Sequence, residues 1–169
     1  MANTYEAIAT VTVGSGGATT IDFTSIPATY TDLILKLSGR DNRADESFTA
    51  LFIKVNNSTS NLTTKRLYGN GASAFSDSPA GFIGTNTAPL ATASTFSNLE
   101  IYFPNYAGST NKSFSSDAVT ENNATTSFVS LNAGLWSQTT AINQLTVYCA
   151  DSANFVQYST ATLYGIKNS

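Results

Sequence analysis

The chain has 169 residues, with 8 Lys and Arg against 11 Asp and Glu for a net charge of -3, so it carries no cationic field to attract a phosphate backbone, and nucleic acid is not an expected partner. Histidine is absent and Cys149 is the only cysteine, which removes the usual general base of Ser and Cys hydrolases, the commonest metal ligand, any intrachain disulfide and any cysteine zinc cluster. Charged residues make up only 11%, well under the roughly 25% usual in soluble domains, and Ser, Thr and Asn take their place as they do in β-rich extracellular and virion proteins.

Tyr5 to Val13 alternates, with Tyr5, Ala7, Ala9, Val11 and Val13 on one face and Glu6, Ile8, Thr10 and Thr12 on the other; this predicts a first strand. Gly14-Ser15-Gly16-Gly17 breaks it. Thr19 to Phe23 resumes β, and a hairpin with the first strand is the expected pairing. Pro27 then forbids continued central pairing. Tyr30 to Arg40 holds the clearest strand: Leu33, Leu35 and Leu37 share one face, Ile34 and Lys36 the other, between the turn-formers Asp32 and Ser38-Gly39. It is predicted to be the central strand.

Arg40 to Ser47, RDNRADES, is the one dense charge cluster and reads as a solvated loop. Phe48 to Val55 alternates again. Asn56 to Thr64 is polar and turn-rich, Lys65 to Tyr68 forms a short strand, and Gly69-Asn70-Gly71 is a hairpin signal. From Ser73 to Ser97 the composition is Ala, Ser, Thr, Gly and Pro, with Phe75, Phe82, Ile83, Leu90 and Phe96 as isolated apolar anchors; a long exposed excursion is expected there. Leu99 to Phe103 is a firm strand, ended by Pro104-Asn105-Tyr106. Lys112 to Val119, Thr126 to Leu131, Asn143 to Cys149 and Ser159 to Ile166 complete the set.

Many short strands, regular turn signals and no amphipathic helix predict one all-β domain over 1–169, an antiparallel β-sandwich with jelly-roll-like topology. No apolar run approaches the roughly 20 residues that span a bilayer. Met1 to Glu6 shows neither the basic nor the apolar region of a secretory signal. A soluble protein made in the cytoplasm, without contact to a membrane, is the expectation.

Asp41, Asn42, Asp45 and Glu46 bring together oxygens of the kind calcium requires, but Arg40 and Arg43 interleave with them and the spacing is not that of an EF-hand. A salt-bridged loop is the favoured reading. Asp117 and Glu121 are the best carboxylate pair for glycosidase-like acid and base work, yet no supporting motif accompanies them, and solvated carboxylates are the favoured reading. Phe residues, and Trp136 after Ala133-Gly134-Leu135, are assigned to the core. Tyrosines in loops can stack on sugar rings; for Tyr102, Tyr106 and Tyr158 both a partner or glycan contact and a place at the core edge stay open. Five triplets of the form N-x-S/T, at Asn56, Asn57, Asn61, Asn111 and Asn123, are ascribed to composition, and Cys149 to a small buried apolar side chain. No metal or cofactor is expected.

The ordered set Phe23-Thr24-Ser25-Ile26-Pro27, Tyr30-Thr31-Asp32-Leu33, Pro104-Asn105-Tyr106, Ala133-Gly134-Leu135-Trp136 and Leu163-Tyr164-Gly165-Ile166 resembles a family of small virion proteins of tailed bacteriophages, abundant in marine and cyanobacterial phages, whose β-sandwich module also occurs at tail-fibre tips. The resemblance spans nearly the whole chain. It implies a structural protein of the virion with no catalysis, and its shared positions look architectural, so no functional residue carries over. No anchoring domain, heptad stalk or Gly-x-y repeat precedes the module, as tail-fibre relatives would have. The expected role is therefore a capsid decoration or cement protein that binds the major capsid protein or other virion proteins, as a homo-oligomer for which a trimer is one candidate. The alternative is a tail-associated adhesin for a host glycan, and an enzyme acting on surface polysaccharide ranks behind both.

Overall fold

The computed structural model describes residues 4–120 and 127–167. Twelve strands run through the described residues: β1 (Tyr5–Thr12), β2 (Thr20–Phe23), β3 (Asp32–Gly39), β4 (Phe48–Val55), β5 (Leu62–Gly69), β6 (Ala74–Asp77), β7 (Phe82–Thr87), β8 (Ser97–Phe103), β9 (Lys112–Thr120), β10 (Phe128–Trp136), β11 (Leu145–Cys149) and β12 (Thr160–Ile166). They form an eight-stranded sheet in the order β1-β12-β3-β8-β9-β10-β5-β6 and a four-stranded sheet in the order β2-β11-β4-β7. All these pairings are antiparallel. Leu33, Leu35, Ile101, Phe103 and Leu163 from the larger sheet and Ile21, Leu51, Ile53 and Val147 from the smaller are fully buried in one shared core. The protein is an antiparallel β-sandwich.

Its topology follows once four strands are set aside. Without β5, β6, β9 and β10, the sheets become β1-β12-β3-β8 and β2-β11-β4-β7, the two Greek keys of a jelly roll. The other four strands leave this frame as two hairpins, β5-β6 between β4 and β7 and β9-β10 between β8 and β11. Both join the larger sheet beyond β8 and widen it into a wing, β9-β10-β5-β6.

Strands with a clean period of two form where that pattern places them. β3 lies between β12 and β8, turning Leu33, Leu35 and Leu37 to the core and Lys36 outward to Glu100 at 2.9 Å. Ile34, on the outer face, is also buried, in register with Tyr164 on one side and Tyr102 on the other. Four expectations change. β1 pairs with β12 and not with β2, because the glycine turn carries the chain from one sheet to the other. β5 begins at Leu62. β10 continues through Ala133-Gly134-Leu135 to Trp136, which is buried as expected; the expected start at Thr126 lies outside the described residues. The stretch from Ser73 to Ser97 is not an exposed excursion throughout, since β7 within it is buried at every position.

That burial has a specific cause. β4 and β7 pair with a bulge: Leu51 faces Gly84 and Phe52 faces Phe82, leaving Ile83 as the extra residue. The Ile83 carbonyl, without a ladder partner there, accepts hydrogen bonds from Ser116 Oγ on β9 at 2.7 Å and Asn132 Nδ2 on β10 at 3.2 Å. β7 thereby belongs to the small sheet by its ladder and is tied to the wing by side chains. Close approach is possible because a Cβ at Gly84 would lie 2.6 Å from that of Ala118.

The segments quoted for the resemblance largely meet at one end of the sandwich. Tyr106 is fully buried; its hydroxyl donates to the Pro27 carbonyl and accepts from the Tyr30 amide at 3.4 Å. Asp32 accepts from the Asn105 amide at 2.8 Å and the Tyr102 hydroxyl at 2.9 Å. The Tyr30 ring covers Gly165, where a Cβ would sit 2.3 Å from it. Those positions close the fold. Lys112 is buried beside them, and its ammonium donates to the carbonyls of Gly108 at 2.5 Å and Thr110 at 2.7 Å, while burial lowers its pKa.

Gly134 lies opposite Phe114 in the β9-β10 ladder, and a Cβ there would lie 2.0 Å from the Phe114 ring. We expect Gly134→Ala to lower stability by about 1–3 kcal/mol through overpacking, read as a shifted urea midpoint. An unchanged midpoint would contradict this packing.

Candidate functional site

The three tyrosines singled out by sequence do not form a site. Tyr102 lies on the outer face of the larger sheet with its hydroxyl held by Asp32, a bond that raises its pKa, assisted by partial desolvation. Tyr106 is corrected outright: it is a core residue and its ring touches no solvent. Tyr158 is 69% exposed at a turn, with a φ of 73°. The buried Tyr106 and the outward Tyr102 and Tyr158 share no cavity.

The acidic candidates separate in the same way. Asp117 is exposed on β9, in register with Glu100, which pairs with Lys36; Glu121 and the triplet at Asn123 lie outside the described residues. In the charged loop, Arg43 sits among Asp45 at 3.5 Å, Glu46 at 3.7 Å and Asp151 at 2.5 Å, a salt-bridged arrangement. Asp41 is not solvated as expected. It is fully buried and accepts from Thr49 Oγ1 at 3.1 Å, Asn86 Nδ2 at 3.1 Å and the Arg43 amide at 3.0 Å. Cys149 is buried nearby, its thiol pKa pushed far up by desolvation. Among the described residues, no three His, Cys, Asp or Glu side chains are grouped so as to hold a metal ion.

Two surfaces of the wing stand out instead, and alternation along the same strands produces both. Outward, Leu67 on β5, Val119 on β9 and Val129, Leu131 and Leu135 on β10 are all exposed, Leu131 by 59%. Leu131 faces Leu67 across the ladder and Val129 faces Val119, so these side chains form one aliphatic block, with Lys65 and Asp117 beside it. The outer face of the jelly-roll half differs: there Lys36 pairs with Glu100 and Thr10 with Thr162.

Inward, beyond β7, the wing has no sheet above it. Phe48, Tyr68, Phe75 and Phe128 gather there around a cavity of about 390 Å³ that Arg66, Asn70, Thr85 and Ser130 also line. Ring centroids lie 4.1 Å apart for Phe48 and Phe128, 5.1 Å for the stacked Tyr68 and Phe75, and 6.4 Å for Tyr68 and Phe128. The Arg66 guanidinium stacks between Tyr68 at 4.1 Å and Phe82 at 4.3 Å, and is bound by Asp77. Assigning every Phe to the core is therefore corrected: Phe75 is 41% exposed, and Phe48 and Phe128 are half-buried at the cavity. The available signal was the Asn70-Gly71 turn, since a hairpin there places Tyr68 opposite Phe75.

A wider groove of about 680 Å³ runs over the outer face of the smaller sheet. Its aromatic faces are already occupied, because Phe52 and Tyr148 stack on each other at 5.8 Å and Lys54 covers Tyr148. No protein-family model matches the chain, and no curated protein matches it.

Burial raises the Asp41 pKa above its ordinary 3.8, against the pull of its three hydrogen bonds and of Arg40. The stability this group contributes is therefore fully present below pH 3.8 and lost as pH rises through the folded-state value. Asn mimics the protonated acid, so melting temperatures of wild type and Asp41→Asn should converge toward low pH, with the wild type falling behind as pH rises to neutrality. Parallel melting curves across that range would contradict a raised pKa.

Proposed function

We propose that the protein is a non-catalytic structural protein of a tailed-phage virion, a decoration protein that docks on folded subunits of the head and stabilises the assembled state by mass action. The observation that carries this reading is the exposed aliphatic block on the outer face of the wing. Contiguous exposed apolar surface is characteristic of protein-binding faces, and a flat sheet face suits another protein surface better than a small molecule. Lys65 and Asp117 flank the block with opposite charges, so it can pair with a mixed-charge rim. The ordered segments that resemble phage virion proteins support the same reading. A symmetric oligomer on the shell would repeat this face at each junction.

The second reading, a tail-associated adhesin that binds a host glycan, is favoured by the aromatic cavity. Copy number separates the two roles: many copies spread over the head fit decoration, and a few copies confined to the tail contradict it.

The docking face can be altered without touching the core. Leu67→Thr with Leu131→Thr keeps β-branched side chains in the strands and should change stability by less than about 1 kcal/mol. Binding to purified heads that lack the protein should weaken at least about tenfold, since each exposed Leu buried at an interface contributes on the order of 1 kcal/mol or more. Wild-type binding by the double variant would rule out this face as the docking surface.

A further inference from the structure

The cavity on the inner face of the wing has the make-up of a ligand site, and nothing in the docking reading uses it. Aromatic rings from β4, β5, β6 and β10 form its wall. Core packing does not require them there, because the smaller sheet ends at β7. Thr85, only 4% exposed, lines the cavity, and its Oγ1 has no hydrogen-bond partner among the described residues. A hydroxyl buried without a partner costs about 1–3 kcal/mol. An occupant with hydroxyls of its own would remove that cost.

The other polar groups define the chemistry further. Asn70 commits its Oδ1 to its own turn, accepting from the Ala72 and Ser73 amides at 3.1 and 2.9 Å, so its NH₂ is the group it offers. Ser130 Oγ accepts from Asn132 Nδ2 at 3.4 Å, leaving its own proton for an acceptor. Arg66, the one charged side chain on the lining, is neutralised by Asp77 through Nε and Nη2. The cavity therefore presents aromatic faces and neutral polar groups with no net charge. A phosphate or carboxylate ligand gains no net attraction from it, and a purely apolar occupant leaves Thr85 unpaired.

We infer that this cavity binds one neutral hexopyranose ring of a glycan, its C–H face laid against the aromatic wall and its hydroxyls on Thr85, Asn70 and Ser130. The volume, about 390 Å³, lies at the small end of the range for ligand pockets, which fits one ring with its chain running out past Phe75. Aromatic rings with a polar handle supply both kinds of contact that a sugar presents. This site stands apart from the aliphatic face, which lies on the opposite side of the same strands, so either assignment can fail without the other.

The test uses the purified protein in ¹H–¹⁵N titrations with methyl glycosides of glucose, galactose, mannose and N-acetylglucosamine, with glucose 6-phosphate and cyclohexanol as charged and apolar probes. The expected result is millimolar binding of at least one neutral glycoside, with shifts concentrated at Thr85, Ser130 and β6. Thr85→Val keeps the shape and should weaken that glycoside about tenfold, one lost hydrogen bond, while leaving cyclohexanol unaffected. Phe75→Ala, at an exposed position, should weaken it as well with the fold intact. The inference is overturned if none of the four glycosides perturbs the cavity, if glucose 6-phosphate binds tighter than every neutral glycoside, or if Thr85→Val leaves the affinity unchanged.

Discussion

The hydrogen bonds onto the Ile83 carbonyl, from Ser116 at 2.7 Å and Asn132 at 3.2 Å, join the two halves of this molecule. A jelly roll covers each of its two sheets with the other, but the larger sheet here has four strands more than the smaller one can cover. Something must hold the overhang against the frame. The bulge at Ile83 frees a backbone carbonyl at the boundary, and the wing supplies two side-chain donors for it, so a buried group that would otherwise lack a partner becomes the attachment point. Gly84, pressed against Ala118, lets the two layers approach closely enough for those bonds to form.

Everything beyond that line is surface on both sides. A strand sends successive side chains to opposite faces, and in the wing this separates two chemistries at one-residue spacing. Leu67 points out while Arg66 and Tyr68 point in; Val129 and Leu131 point out while Phe128 and Ser130 point in. An aliphatic face and an aromatic, hydroxyl-bearing cavity are thus set back to back across a single sheet. The frame meanwhile holds its ends shut with Tyr106 on Pro27, Asp32 on Asn105 and Tyr30 over Gly165. Reactive side chains are sparse throughout: Cys149 is buried with its pKa raised, and Asp41 is enclosed by donors.

How much of this could be read from sequence depended on whether a strand has one wet face. β3, β4, β8, β9, β11 and β12 appear where alternation predicts them, and the sandwich with jelly-roll topology follows from them. β7, Phe-Ile-Gly-Thr-Asn-Thr, is buried on both sides and carries no period of two, so its polar residues made it look like a loop. The β1-β2 hairpin misled because adjacency in sequence does not say which sheet a strand joins; here the glycine turn crosses between them. Tyr102 and Tyr106 lie four residues apart and differ wholly in burial, which turns on the tight turn at Pro104-Asn105 and on the Pro27 carbonyl far away in the chain. The cavity was hidden for a similar reason: alternation shows that Tyr68, Phe75 and Phe128 share a face, but only the shorter second sheet leaves that face open.

The central claim is that the wing, and not the jelly-roll frame, is the part of this protein that meets its partner. Hydroxyl-radical footprinting of the protein bound to purified phage heads, compared with the free protein, tests it most directly. The account predicts reduced modification of Leu67, Leu131 and Leu135 with no change at Tyr5 and Tyr158, which are exposed on the frame. Protection of Tyr5 or Tyr158 with the three leucines unchanged would contradict it.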